Sequence, residues 1–397
     1  MQSHHHSNPS GRDLTCDDVI SLTQILVQID SSNPDFGTIP GPGETEIAKY
    51  ISSWLRCRGI ESHWIEATPG RPSVIGVVRG TSGGKSLMLN GHMDTVALSG
   101  YKGNPLSGHV VDGKLYGRGS ADMKSGLAAA MLALASAKSK RLRGDVVLAA
   151  VADEESKSLG TEQVLKAGWR ADAAIVAEPT EMALINKHKG FALFEVNIFG
   201  VASHGSRVDL GVDAVCKAGH FLVQLDQHAQ ELRQGFGQDT PPTEGPNIHV
   251  GVIRGGEEVA SYPALCTILI ERRTVAGESK ESVTDELLGL LNKVARTVPD
   301  FKFDLQLTFW RAPYHIPSTH EFVQFVASHA HIATGLEPVI KGETYWTDMA
   351  LIHELGIPGV ILGPTGVGLH AEIEWVEVDS VRQLARAFVN IVEDFCK

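Results

Sequence analysis

The stretch Val146–Glu155, VVLAAVADEE, decides how the chain is read. Seven apolar residues, Val146 to Ala152, run without interruption into three adjacent carboxylates, Asp153, Glu154 and Glu155. An apolar run of this length reads as a buried strand, so the acidic triplet falls at the rim of a core, where like charges repel and lose hydration. Such an arrangement calls for a cation.

Working outward, the same pattern recurs. LMLNGHMD (87–94) places His92 and Asp94 beyond a strand, AAIVAEPT (173–180) places Glu178 there, and GVILGPTGVGLH (359–370) places His370. Asp122 stands in YGRGSADMKSG (116–126), just before an Ala/Leu-rich helix expected at Leu127–Ala137. Strands alternating with helices imply an α/β unit with a mostly parallel sheet, and ligands of such sheets bind outside the carboxyl ends of the strands. These groups can therefore converge on one crevice. Two histidines and three carboxylates, one of them bridging, are enough for two divalent ions at the spacing of about 3.5–4 Å found in two-metal hydrolases. Imidazole plus carboxylate suits Zn2+, with Co2+ or Mn2+ as alternatives, because no thiolate is offered.

Taken singly, each group has a plainer reading: His92 or His370 as a hydrogen-bonded structural histidine, Glu178 or Asp122 as a helix cap. Several groups of ligand chemistry at corresponding positions are hard to obtain from packing. If His92-Met93-Asp94 is extended, residues two apart share a face and the Asp94 carboxylate can accept the second imidazole N–H. Adjacent Glu154 and Glu155 point apart, one toward metal and the other into the cleft as a general base.

Composition narrows the function classes. With 397 residues, 43% of them hydrophobic, the chain can bury a large core in two domains. A formal net charge of -12 disfavours nucleic acid and anionic membrane surfaces as partners. Five scattered cysteines without a CxxC pair read as reduced packing residues of a cytoplasmic protein, and no apolar stretch approaches the roughly 18 residues of a membrane span. The Gly-rich turn GTSGGKS (80–86) has the wrong spacing for a P-loop, and GRGSAD (117–122) lacks the third glycine of a dinucleotide fingerprint. His4, His5 and His6 sit in a polar, Pro/Gly-bearing terminus that reads as disordered rather than as a site.

Helices are expected at Asp17–Ile29, capped by Thr15 or Asp17, and at Glu44–Arg58, with strands at Ser73–Arg79 and Ser86–Leu89. Around Gly190 the texture changes to longer strands (Phe191–Phe199, Leu265–Glu271, Phe303–Phe309) and amphipathic helices (Asp213–Leu232, Lys280–Arg296). The expected layout is a catalytic domain in two parts, 12–188 and 310–397, interrupted by an α+β domain, 189–309.

GHMDTV, YGRGSADMKSG, ADEES, AEPT, GVASHGSRVDLGVDAV, NIHVGVIRGG, ERRTVAGE, TDMALI and GPTGVGLHAEIEWV follow one another through nearly the whole chain. As a set they resemble the M20 metallopeptidases, the family of acetylornithine deacetylase, succinyl-diaminopimelate desuccinylase, aminoacylase-1 and glutamate carboxypeptidase. The resemblance implies a zinc-peptidase-like α/β domain interrupted by a lid domain that also dimerises. It makes His92, Asp122 and Glu178 ligands of one metal ion, and Asp122, Glu155 and His370 ligands of the other. Glu154 becomes the catalytic base and Asp94 the residue behind His92, while the Asp122–Met123 peptide is expected to be cis. His204 of the lid would stabilise the oxyanion, often from the partner subunit of a homodimer. Asn247 and Arg273 would hold the substrate carboxylate, and Gly363 would border the substrate. Ala276, where proline is usual, and AEIE (371–374), where a Ser/Thr-Pro-x-Glu type is common, depart from the pattern without touching a ligand. The expected activity is hydrolysis of a small N-acyl amino acid with two Zn2+ per subunit, and Glu178 is the choice of family deacylases and carboxypeptidases. A carboxypeptidase or dipeptidase is the alternative. A binding protein without activity would have no need of Glu154 beside the metals.

Overall fold

The structure, a computed structural model, describes residues 12–235 and 244–397. His4–His6 and part of the Pro-rich loop 239–246 lie outside the described residues. The chain forms two compact units. The first comprises the chain up to Asn186 with Ile316–Lys341 and Thr347–Lys397, and the second comprises Lys187–His315 with Gly342–Trp346. The breaks thus fall after Asn186 and His315, and a short later segment joins the second unit.

In the first unit, strands lie side by side in the order Glu61–Ile65, Ser73–Val78, Val146–Val151, Leu87–His92, Ala173–Val176, Gly359–Ile361, Leu184–His188. The four from Val146–Val151 to Gly359–Ile361 run parallel, and the flanking strands pair antiparallel. Every residue of Ser73–Val78, Leu87–His92, Val146–Val151 and Ala173–Val176 is buried. Continuous apolar sequence is what a strand covered on both faces requires.

The register sets up the site. His92 lies beside Val151 and Asn90 beside Val176, so parallel pairing delivers the residues after each strand to one edge of the sheet. Helix Ser125–Ala137 packs on this sheet and against the C-terminal helix Val378–Phe395. A Cβ on Gly126 would lie 1.9 Å from the Ala177 carbonyl oxygen, so only glycine lets the helix start this close to the turn that carries Glu178. The opening helix is shorter than expected, Val19–Val27, and its cap is Asp18, whose Oδ2 accepts the Ser21 N–H at 2.8 Å. A separate small sheet joins Val110–Val111, Lys114–Tyr116, Trp375–Glu377 and Gly366–Val367.

The second unit is an antiparallel sheet in the order Asn247–Gly255, Leu265–Thr274, Gly190–Phe199, Lys302–Arg311. Ala192, Phe194, Val196 and Ile198 alternate inward against residues of helices Ala214–Gly235 and Lys280–Thr297, including Phe221, Leu225, Leu287 and Leu291. Among the described residues no helix is long and apolar enough to cross a membrane.

Candidate metal centre

His92 ends its strand and is buried. Its Nε2 faces Asp122 Oδ1 at 3.0 Å and Glu178 Oε1 at 3.5 Å. The other Asp122 oxygen lies 3.4 Å from His370 Nε2, which also faces Glu155 Oε2 at 2.9 Å. One carboxylate therefore stands between two imidazoles, with one oxygen toward each. Ligand atoms of His92, Asp122 and Glu155 lie within 4.8 Å of one another, and so do those of His92, Glu154 and Glu178. Glu154 and Glu155 leave a turn rather than an extended strand, Asp153 having φ of 66°, and they join different groups of neighbours. The Asp122–Met123 peptide is cis.

Three placements add detail to the sequence reading. His370 does not follow strand Gly359–Ile361 directly. It sits in the loop between the hairpin strands Gly366–Val367 and Trp375–Glu377, with a half-exposed side chain. His92 Nδ1 is shared between the Asp94 backbone carbonyl at 3.0 Å and the Asp94 carboxylate, Oδ1 lying at 3.5 Å, so Asp94 stands behind His92 with its main chain as well as its side chain. Gly363, expected to border the substrate, has its N–H bonded to Thr180 Oγ1 at 2.9 Å, and its carbonyl accepts from Met182 N–H at 3.0 Å. A Cβ there would meet the Glu178 carbonyl oxygen at 1.9 Å, so glycine is also what lets this segment pack on the Glu178 turn.

Behind the cluster, Asp94 is joined by residues that the sequence did not single out. The Asp94 carboxylate accepts from the N–H groups of Glu154 and Glu155 at 3.1 and 3.3 Å and from Asn33 Nδ2 at 2.8 Å. It thereby holds the acidic turn. Arg71 binds Glu44 through two bonds of 2.8 and 2.6 Å and reaches Asp153 at 2.7 Å, while Asn33 links Asp153 to Asp94. Buried Glu374 accepts from Gly119, Ala121 and Asp122 N–H and from Arg118, at 2.9–3.1 Å, and so clamps the loop that presents Asp122. The only sequence signal for Glu374 was its place in the unusual AEIE segment.

The electrostatics match a cation site. Burial first, then Glu178, pushes the Glu154 carboxyl well above the ordinary range, and burial with Asp122 raises Glu155 to about 7. Glu178 is raised by burial, with Asp122 and Glu155 adding to it. Burial would raise Asp122 too, but hydrogen bonds with His370 and His92 hold it low. Asp122 and Glu155 in turn raise His370 to about 10. Among the described residues no lysine or arginine pairs with Glu154, Glu155 or Glu178. Buried carboxylates that share two imidazoles and lack such counter-charges form a donor set suited to divalent ions.

The remaining candidates belong to the second unit. His204 is exposed on the short strand Ser203–His204, its Nδ1 2.8 Å from Ser206 Oγ. Asn247 and Arg273 are direct neighbours across the strand pair. Arg273 donates to the Thr344 carbonyl at 2.9 Å and stands over the Phe191 ring, 5.4 Å from its centroid.

A cage of imidazoles and carboxylates at the carboxyl edge of a parallel α/β core, in a chain that also carries an inserted α+β unit, fits a hydrolase of amide bonds. The chain belongs to peptidase family M20/M25/M40, whose model matches residues 88–394. Acetylornithine deacetylase of Myxococcus xanthus is 30% identical over 322 residues, covering 79% of this chain and 81% of the relative. The fold is shared with crystal structures of aminopeptidase PepT from Bacillus cereus ATCC 10987, at TM-score 0.77 and 19% identity over 96% of this chain and 98% of that one. It is shared too with Bacillus subtilis YXEP, described as a dinuclear metal binding peptidase of the M20 family, at TM-score 0.69 and 16% identity over 95% and 97%.

Proposed function

We propose that the chain is a dinuclear metal-dependent amidohydrolase that removes the acyl group from a small N-acyl amino acid, in the manner of a deacetylase or desuccinylase. The observation that carries this reading is Asp122, whose two oxygens address His92 and His370 separately. His92, Asp122 and Glu178 would hold one ion, and Asp122, Glu155 and His370 the other. Two nitrogen and several oxygen donors fit Zn2+ best, with Co2+ or Mn2+ next. Divalent ions there would make water more acidic and polarise the scissile carbonyl.

The chain's own residues do the rest. Glu154 takes a proton from the attacking water and returns it to the leaving amine as the C–N bond breaks, releasing an acid and an amine. Asp94 fixes the turn from which Glu154 projects, so the carboxylate needs no reorganisation as the proton moves. Asn247 and Arg273 receive the substrate carboxylate. His204, supplied by the partner subunit of a homodimer, donates to the oxyanion. The free cysteines suit a reducing, cytoplasmic setting.

Support for the acyl amino acid comes from the Myxococcus relative and from Glu178 at its position. The test is a panel of N-acyl amino acids and dipeptides with Zn2+-, Co2+- and Mn2+-loaded protein. Release of an acyl acid supports a deacylase, whereas cleavage of dipeptides alone would make the chain a carboxypeptidase or dipeptidase. Asp122→Ala should lose most of both ions, and undiminished occupancy of two ions would remove the assignment.

A further inference from the structure

Lys189 is only 6% exposed, yet no carboxylate pairs with it among the described residues. Its ammonium has one long hydrogen bond, 3.5 Å to Asn247 Oδ1, although it carries three donors. A buried cation in this state is costly unless a counter-charge arrives from outside. Lys189 lines a cavity of about 240 Å³ within the second unit, together with Val275, Ala276, Tyr314, Glu244 and Glu343. Of the two acids, Glu244 is engaged by Lys187 at 3.2 Å, and neither forms an ion pair with Lys189. Burial first, and then the nearby Arg273, push the Lys189 ammonium below its ordinary range, with Glu244 opposing. Asn247 ties this lysine to Arg273, its neighbour across the strands.

We propose that this cavity is a carboxylate subsite in which Lys189 supplies the counter-charge, its apolar wall of Val275, Ala276 and Tyr314 receiving the short carbon arm that bears the anion. In the reading of the chain as a deacylase, on which this part rests, the anion is a carboxylate of the substrate. It is either that of the amino acid or a second one at the end of a dicarboxylic acyl group. Lysine acts as a point charge, so it can accept either geometry.

The subsite is tested apart from catalysis by thermal-shift titration of the full-length, metal-loaded protein with butyrate and with butyramide. Carboxylate affinity of the ions is common to all variants, so the change between proteins reports Lys189. Wild type should prefer butyrate. Lys189→Met, and Lys189→Gln as a neutral hydrogen-bonding replacement, should lose about 10-fold or more of that preference, the usual worth of a hydrogen bond to a charged group. Lys189→Arg should keep most of it. An unchanged preference in both neutral variants, or no preference in wild type, overturns the subsite whether or not the protein is a deacylase.

Two substrate pairs then locate the anion: an N-acetyl amino acid against its α-amide, and an N-succinyl amine against its N-butyryl counterpart. In the relevant pair the KM discrimination collapses in Lys189→Met while kcat is kept. Discrimination intact in both pairs overturns the link to the substrate.

Discussion

Replacing Glu374 with glutamine keeps its volume and removes one acceptor. In the native chain Oε1 accepts from Ala121 and Asp122 N–H at 2.9 and 3.1 Å, and Oε2 from Gly119 N–H at 3.0 Å and Arg118 Nη1 at 2.9 Å. A carboxamide can serve one pair, but its NH2 group then faces donors of the other. Arg118 retains the Ala371 carbonyl at 2.8 Å, so the least costly orientation abandons Gly119 and Arg118. One buried backbone N–H is left without an acceptor, at about 1–3 kcal/mol, and the surviving bonds lose their charge assistance, at about 1 kcal/mol more. The lower end of that sum, about 2 kcal/mol, corresponds to roughly 30-fold in an equilibrium constant. Because Gly119 and Arg118 anchor the loop that presents Asp122, and the Asp122 N–H bond that remains loses its charge assistance, we expect at least one ion to bind about 30-fold more weakly. Calorimetric titration of metal-stripped Glu374→Gln with Zn2+ measures this, and melting with and without metal gives the same linkage independently. A lower melting temperature with wild-type affinity for both ions would refute the reasoning, since Glu374 would then stabilise the loop without positioning Asp122.

Glu154→Gln should lower kcat by about 10²-fold or more with metal content retained, whereas Glu155→Gln should lose metal; exchanged phenotypes would reverse the two roles. In metal-free protein the paired His370 contributes stability that is full below its unfolded value of 6.5 and is lost as pH rises through about 10. Glu155, raised from 4.5 to about 7, likewise destabilises the metal-free fold as pH rises through that window. Metal must displace these protons, so the melting-temperature difference between loaded and metal-free protein should grow from pH 5.5 to 8.5, and a constant difference would contradict the site's protonation. Glu154→Ala and His204→Ala should each be nearly inactive, yet reassembled together they should recover roughly a quarter of wild-type activity, because about half the dimers are mixed and each mixed dimer has one intact site. No recovery despite verified subunit exchange would place His204 within its own chain's chemistry or outside it altogether.

The residues of the candidate cage were legible because their signals are local. An apolar strand running into acids, or into His92, juxtaposes burial and charge within a few residues, and that conflict shows in one dimension. Strand Val146–Val151 fills all but the last residue of its apolar run. The amino acids alone also determined that an α/β core would be interrupted by segments of longer alternating strands, since alternation follows from one-sided burial.

What tertiary structure alone decided are the partners of buried polar groups. Glu44, Arg71 and Glu374 look like surface residues in sequence, and their burial is tolerated only because donors and acceptors from distant segments meet them, Glu374 reaching back to residues 118–122. That Asp94, behind the His92 ring, also receives the N–H groups of Glu154 and Glu155 depends on Leu87–His92 lying beside Val146–Val151, a pairing between segments separated by more than a helix. Local composition sets which residues seek the core. Only the closed fold settles which charge finds which partner, because electrostatic energy depends on distances that the linear chain does not contain.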